Sequence, residues 1–183
     1  MVNPSYDAAV LMKSGVLALR RARPEDAEAL SIFAARTFWE TYAADSKASD
    51  MEAYVAAAFS PAIQLKEIAD SASPVTLAVH RDALGDSLVG YTHLMDEEHS
   101  VRLKRIYIEQ PWMGSGLGQL LIDEARRECG RRGRNRLWLA VWERNPRAIA
   151  FYRKMGFRVS GESSFQLGDD IQTDFVMEIG ALG

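Results

Sequence analysis

The chain has 183 residues, 26% of them charged and 48% hydrophobic, with a formal charge of −3 at pH 7. That is the length of one domain, enough to bury roughly 70% of the unfolded surface without staples. Acids and bases are interspersed and the balance is acidic, so nucleic acid is not expected as the main partner, and the single cysteine, Cys129, excludes an internal disulfide.

The first residues, MVNPSYDAAVLMKSG, include Asp7, and their apolar run from Ala8 to Met12 is shorter than the core of a signal peptide. No stretch approaches the ~20 apolar residues that cross a bilayer. The expectation is a cytoplasmic protein with no membrane partner: a loose extension over residues 1–15, then a single domain over 16–183. No ligand spacing suggests a metal site. Cys129 shares a helical face with Ile122 and Ala125, which points to a buried core thiol.

Val16 to Arg23 alternates as a strand, and Pro24-Glu25-Asp26 has the proline and early acids of a helix start. The helix that follows carries Ala27, Leu30, Phe33, Ala34 and Phe38 on one side. Further helices are expected over Asp50 to Phe59 and Ala62 to Ala69. Val75 to His80 and Leu88 to Met95 read as strands around a turn containing Gly85 and Asp86, and Val101 to Ile108 as the next strand. After a glycine loop, Leu117, Leu121 and Ala125 recur at helical spacing. Arg136 to Trp142 is a strand, Pro146 to Met155 a short helix stopped by Gly156, and two strands flank Gly168-Asp169-Asp170. The order predicts an α+β domain with a mostly antiparallel sheet.

The glycine loop holds Gly114, Gly116 and Gly118 between a strand end and a helix start. Glycine lets the backbone approach a ligand closely, and the first amides of a helix lack intrahelical partners. With the positive end of the helix dipole, such a loop can bind phosphate without a cationic side chain; it can also be a plain turn. No Lys follows the glycines as a nucleoside-triphosphate loop requires, and the third glycine comes one residue too early for a dinucleotide fingerprint.

The spacing resembles the acyl-CoA loop of the GNAT acetyltransferases, Gln/Arg-x-x-Gly-x-Gly/Ala. Here it reads Met113-Gly114-Ser115-Gly116-Leu117-Gly118 after a strand ending Ile106-Tyr107-Ile108. Met113 departs from the family: it removes a polar side chain but leaves the backbone donors, so weaker phosphate binding is expected. The segment from Asn145 through Ala148, Ile149, Phe151, Tyr152, Lys154 and Gly156 to Phe157 resembles a second family motif. The likeness implies the GNAT acyl-CoA N-acyltransferase fold, a mostly antiparallel mixed sheet flanked by helices. It also implies acetyl-CoA as co-substrate, held by Ile106, Tyr107, Ile108, residues 113–118, Asn145 and Tyr152.

The implied reaction is direct attack of a primary amine on the thioester, with backbone N–H groups near Tyr107 and Ile108 holding the acyl oxygen. Tyr152 is the implied general acid, with a packed structural tyrosine as the plain alternative, and Asn145 either caps its helix or touches the cofactor. Several family branches carry a carboxylate base on the fourth strand, where this chain has Arg102 and Lys104. His93 and Glu40 are the substitutes, with proton loss to water as the third route.

A narrower likeness, to the PaiA-type spermidine/spermine acetyltransferases, rests on Thr37 to Tyr42, Met51 to Tyr54, Trp138 to Asn145 and the tail Ser164 to Asp174. It implies a polyamine acceptor, held by carboxylates among Asp45, Asp50, Glu52, Asp96, Glu97, Glu98, Asp169, Asp170 and Asp174. A protein N-terminal or lysine acetyltransferase and a CoA-binding regulator without catalysis are the competing readings. Pairing through sheet edges into a homodimer is also implied by the family.

Overall fold

The computed structural model describes residues 15–181; the extension expected over 1–15 lies, except for Gly15, outside them. Strand β1 (Val16–Arg21) leads through a 3-10 turn (Pro24–Asp26) into helix α1 (Ala27–Tyr42), α2 (Ala48–Phe59) and α3 (Pro61–Ala69). Strands β2 (Val75–Asp82), β3 (Gly85–Asp96) and β4 (Val101–Ile108) follow. Then come helix α4 (Leu117–Arg131), β5 (Arg136–Trp142), α5 (Pro146–Lys154), β6 (Arg158–Leu167) and β7 (Asp170–Gly180). Among the described residues, seven strands form one sheet in the order β1-β2-β3-β4-β5-β7-β6. Every neighbouring pair is antiparallel except β4 and β5. This is the α+β architecture with a mostly antiparallel mixed sheet that the sequence implied.

Local chemistry accounts for the boundaries that differ from expectation. β1 stops two residues early because Asp26 turns back, accepting from the Arg23 amide at 2.7 Å and from Arg20 at 2.7 Å on each oxygen. The β2–β3 hairpin closes at Ala83-Leu84, before the expected Gly85 and Asp86, because Asp82 Oδ1 accepts from the Leu84 amide at 2.8 Å. Asp86 instead pairs with Arg81 across the strands.

Period-two alternation sends side chains to opposite faces of the sheet. Leu77, Val79 and Tyr91 pack with Leu30, Phe33 and Phe38 of α1, with Met51 and Phe59 of α2 in the same cluster. Ala78 and Val89 face the other way, onto Leu117 and Leu121 of α4. A third cluster joins Leu103, Leu137, Leu139 and Met177 to Ile122 and Ala125 of α4 and to Ile149 of α5, and includes the fully buried Cys129. The sheet is thus covered on both faces.

Its one parallel pair parts early. β4 and β5 pair only at Val101↔Leu137 and Arg102↔Trp138, although β4 runs on to Ile108 and β5 to Trp142. A bulge on β4 helps to turn it away: Arg105 is opposite His93 and Leu103 opposite Leu94, leaving Lys104 as the extra residue. The parted strands open a wedge in the middle of the sheet.

Candidate active site

A cleft of about 670 Å³ occupies this wedge, lined by β4 and β5, the glycine loop, α5 and the C-terminal half of α1. Backbone polarity follows from the ladder. The Glu109 amide bonds the Val89 carbonyl at 2.9 Å and Ile108 is opposite Gly90. In an antiparallel pair that arrangement turns the N–H and C=O of Ile108, and of Ile106 two residues earlier, away from β3 and into the wedge. Tyr107, expected to offer its amide, has its backbone paired with Tyr91 instead. Its ring stacks on Tyr91 with centroids 5.8 Å apart, and its hydroxyl bonds Tyr42.

The loop places its glycines in the cleft. Gly114 and Gly116 have φ of 81° and 93°, a region that disfavours a side chain, and the space beside each is open. Gly116 caps α4, whose first internal bond runs from Leu120 to the Gly116 carbonyl. The amides of Gly118 and Gln119 therefore have no intrahelical acceptor. Ser115 does not point there: its hydroxyl donates to the Trp112 carbonyl at 2.6 Å. The Leu117 side chain is buried beneath the helix, which leaves only its amide near the loop.

Asn145 caps α5 by accepting the Ala148 amide at 3.0 Å, and it lines the cleft as well. Tyr152 is 8% exposed and lines the cleft between the rings of Phe151 and Phe157. Burial, and then the neighbouring Tyr42, push its phenol above the ordinary range. Tyr42 itself is pushed up to about 12 by burial, against the opposing bond from Tyr107. Glu40 lines the cleft from α1, half exposed and 3.3 Å from Arg36.

His93 does not reach the cleft, contrary to the expectation that it could take the amine proton. It is 1% exposed, with Nε2 2.8 Å from the Ser73 hydroxyl and Nδ1 3.2 Å from Arg105 Nη1. A guanidinium can only donate, so Nδ1 accepts and Nε2 carries the proton. Burial drives the imidazole down to about 3, against the opposing charge of Glu67. Glu67 bonds Lys104 at 2.7 Å and Arg105 at 2.6 Å. Burial would raise its carboxyl, but His93, Lys104 and Arg105 together hold it below the usual range. The two cations of β4 thus share a single carboxylate from α3.

A profile of the acetyltransferase (GNAT) family matches residues 34–157. The chain belongs to this family. An uncharacterized N-acetyltransferase of Lactobacillus delbrueckii is 30% identical over 146 residues, 78% of this chain and 84% of that protein. The spermidine N(1)-acetyltransferase of Thermoplasma acidophilum is 27% identical over 161 residues, 87% of this chain and 94% of that one. The crystal structure of a PaiA N-acetyltransferase from the same organism, in complex with coenzyme A, superposes with a TM-score of 0.77. It is 25% identical and the match covers 90% of this chain and 99% of that chain.

As a GNAT enzyme the protein uses acetyl-CoA, and the cleft's chemistry fits that molecule. Open space at two left-handed glycines, unbonded amides at the start of α4 and a wedge between β4 and β5 suit pyrophosphate followed by an extended thiol arm. Among the described residues no cluster of His, Cys, Asp and Glu has the makings of a metal site, and no helix is long and apolar enough to cross a membrane.

Sequence reasoning missed three parts of this surface: the Tyr42–Tyr107 hydroxyl pair, the Glu67 cluster, and the cations of α5. Arg144 and Arg147 beside the Asn145 cap, with Lys154, line the cleft. The detectable signal was Arg147 itself, a cation in the first turn of a helix whose first turn has no acid.

Proposed function

We propose that this GNAT enzyme acetylates a polyamine of the spermidine or spermine class. The observation that carries the reading is a second cavity of about 320 Å³ in which four carboxylates, Asp45, Asp50, Asp169 and Asp170, outnumber the one cation, Lys47, with Ser46 and Leu167 completing the lining. Asp45 also lines the acetyl-transfer cleft, so the carboxylates begin where the acceptor must enter. Two of them come from the α1–α2 connection and the start of α2, and two from the β6–β7 turn. Gly168 in that turn leaves room for Asp50: a Cβ there would be 2.3 Å from the Asp50 carboxyl carbon. A single exposed ion pair contributes only about 0–1 kcal/mol, so several carboxylates are needed to favour a polycation over a simple amine. The similarity to the spermidine acetyltransferase supports the same reading.

The remaining candidate carboxylates are engaged elsewhere or stand apart. Asp96 pairs with Arg132 and Arg134, Glu97 accepts from Trp138 and Ser100, and Glu52 and Glu98 are exposed outside both cavities. Asp174 is half-buried in β7, where burial raises its carboxyl against the opposing charge of Arg102.

Acetyl-CoA supplies the activated acetyl group. In the proposed chemistry the backbone amide N–H groups of Ile106 and Ile108 are the donors for the acyl oxygen as it gains charge. The Tyr152 hydroxyl gives its proton to the departing sulfur as the C–S bond breaks. The attacking nitrogen forms the new C–N bond and loses its proton to Glu40 or to water. An alkyl amine is neutral in roughly one molecule per two thousand at pH 7, so this proton loss matters to the rate.

The test is CoA release from acetyl-CoA with spermidine, spermine, a diamine, an aminoglycoside, and N-terminal and lysine peptides. Selective turnover of spermidine or spermine supports the reading. Peptide turnover alone moves the acceptor to protein, and equal turnover of spermidine and a simple monoamine added to the panel overturns the role of the acidic cavity. In the same assay Glu40→Gln separates the two proton routes: a loss of about a hundredfold assigns the base to Glu40, and little change assigns it to water.

A further inference from the structure

We propose that Arg147 supplies, from α5, the cationic contact to the pyrophosphate of acetyl-CoA that the glycine loop of this chain lacks. Three observations support it independently. Met113 stands at the loop position where the family pattern has Gln or Arg, and the Arg147 guanidinium lies directly against the Met113 sulfur.

The second is charge. Five Lys or Arg residues line the cleft. Lys104 and Arg105 are both ion-paired with Glu67, whereas Arg144, Arg147 and Lys154 have no ion pair among the described residues. Of these three, Arg147 is the one in contact with the loop.

The third is placement. Asn145 is the cap of α5 and Pro146 its first residue, so Arg147 sits in the first turn. That is the positive end of the helix dipole, where an anion is favoured and a cation is not. No acid in that turn offsets it. A bound phosphate would relieve both the dipole and the unpaired charge. The guanidinium's planar fork also matches phosphate oxygens better than a point charge does.

The packing holds Arg147 at the loop. One turn along α5, Phe151 rests on Gly118 so closely that a Cβ there would be 2.9 Å from its ring. The start of α5 and the start of α4 are therefore locked together, and Arg147 reaches the loop without a conformational change.

Calorimetric titration of CoA, 3′-dephospho-CoA and pantetheine into the wild type, Arg147→Gln and the double variant Arg147→Gln/Met113→Arg tests the proposal. Arg147→Gln is expected to weaken CoA and dephospho-CoA by the same factor, about tenfold or more, with a shallower salt dependence. The double variant should recover most of that loss, and the melting temperature without ligand should not fall. S-acetyl-pantetheine, which has no pyrophosphate, should show an unchanged kcat/KM in Arg147→Gln. Unaltered CoA affinity overturns the proposal. So does an equal loss for the pantetheine thioester, which would mean a packing defect, or a loss confined to CoA, which would put Arg147 on the 3′-phosphate. The outcome is independent of which amine is acetylated.

Discussion

The ring of Phe151 fills the space into which any side chain at Gly118 would project. A Cβ at Gly118 would meet Cε2 and Cζ of that ring at 2.9 Å and Ile108 Cδ1 at 3.3 Å. Two neighbours of the reaction are tied together here, because Tyr152 follows Phe151 and Ile108 borders the wedge. Gly118→Ala must displace α5, and overpacking of this kind costs about 1–3 kcal/mol. The expected result is a lower melting temperature together with weaker CoA binding. Gly116→Ala isolates a different cause. Its neighbourhood is open but its φ is 93°, so the cost is backbone strain, about 1–2 kcal/mol, with no displacement of Tyr152. Thermal melts and CoA titrations of the two variants distinguish clash from strain.

The His93 cluster makes stability depend on pH. The folded imidazole is held down to about 3 against about 6.5 in an unfolded chain. Between those values the unfolded state binds the extra proton, so the contribution is fully present above pH 6.5 and is lost as pH falls toward 3. Glu67, also held low, acts in the same direction at the acid end. From pH 7 to pH 5 the imidazole's loss is about 2 kcal/mol, equivalent to roughly 4–8 °C for a domain of this size. His93→Gln should be less stable at pH 7 and should flatten the melting profile across that interval. An unchanged slope would show that His93 is not the titrating group.

Tyr152→Phe removes the hydroxyl and keeps the ring packed between Phe151 and Phe157. If the hydroxyl delivers the proton to sulfur, kcat falls about a hundredfold while the KM for acetyl-CoA stays within about twofold. Because burial raises the phenol above its ordinary value of about 10, the wild type should show no loss of kcat up to pH 9 from ionisation of this group. A steady-state pH profile of both proteins checks this.

Asp50→Asn and Asp169→Asn address the acceptor. Each should raise the KM for spermidine about two- to fivefold, as exposed carboxylates do, and leave the KM for acetyl-CoA unchanged. The effect should shrink in high salt, since screening weakens exposed charges. A diamine, with fewer charges to place, should respond less than spermine. Equal changes for all amines would point to a distorted β6–β7 turn instead.

The sequence by itself determined the element order, the antiparallel character of the sheet, the glycine loop and its helix, and the α5 cap. These follow from short-range chemistry: helical spacing of Leu117, Leu121 and Ala125, the turn at Gly168, Asn145 before Pro146. The loop spacing brought Gly114 and Gly116 to notice, and the resemblance to the GNAT family brought Tyr152 and Glu40; all four line one cleft. Only the tertiary structure decided the fate of the charges. Lys104 is ion-paired with Glu67, 37 residues away in sequence. His93 is sealed by a serine 20 residues away, and Asp45 and Asp50 meet Asp169 and Asp170 across the chain. Arg147 finds Met113 at a separation of 34. Periodicity says which face a residue occupies, but an ionisable group's role depends on what faces it across the fold. That partner is selected by the packing of elements distant in sequence, and here by the parting of β4 from β5.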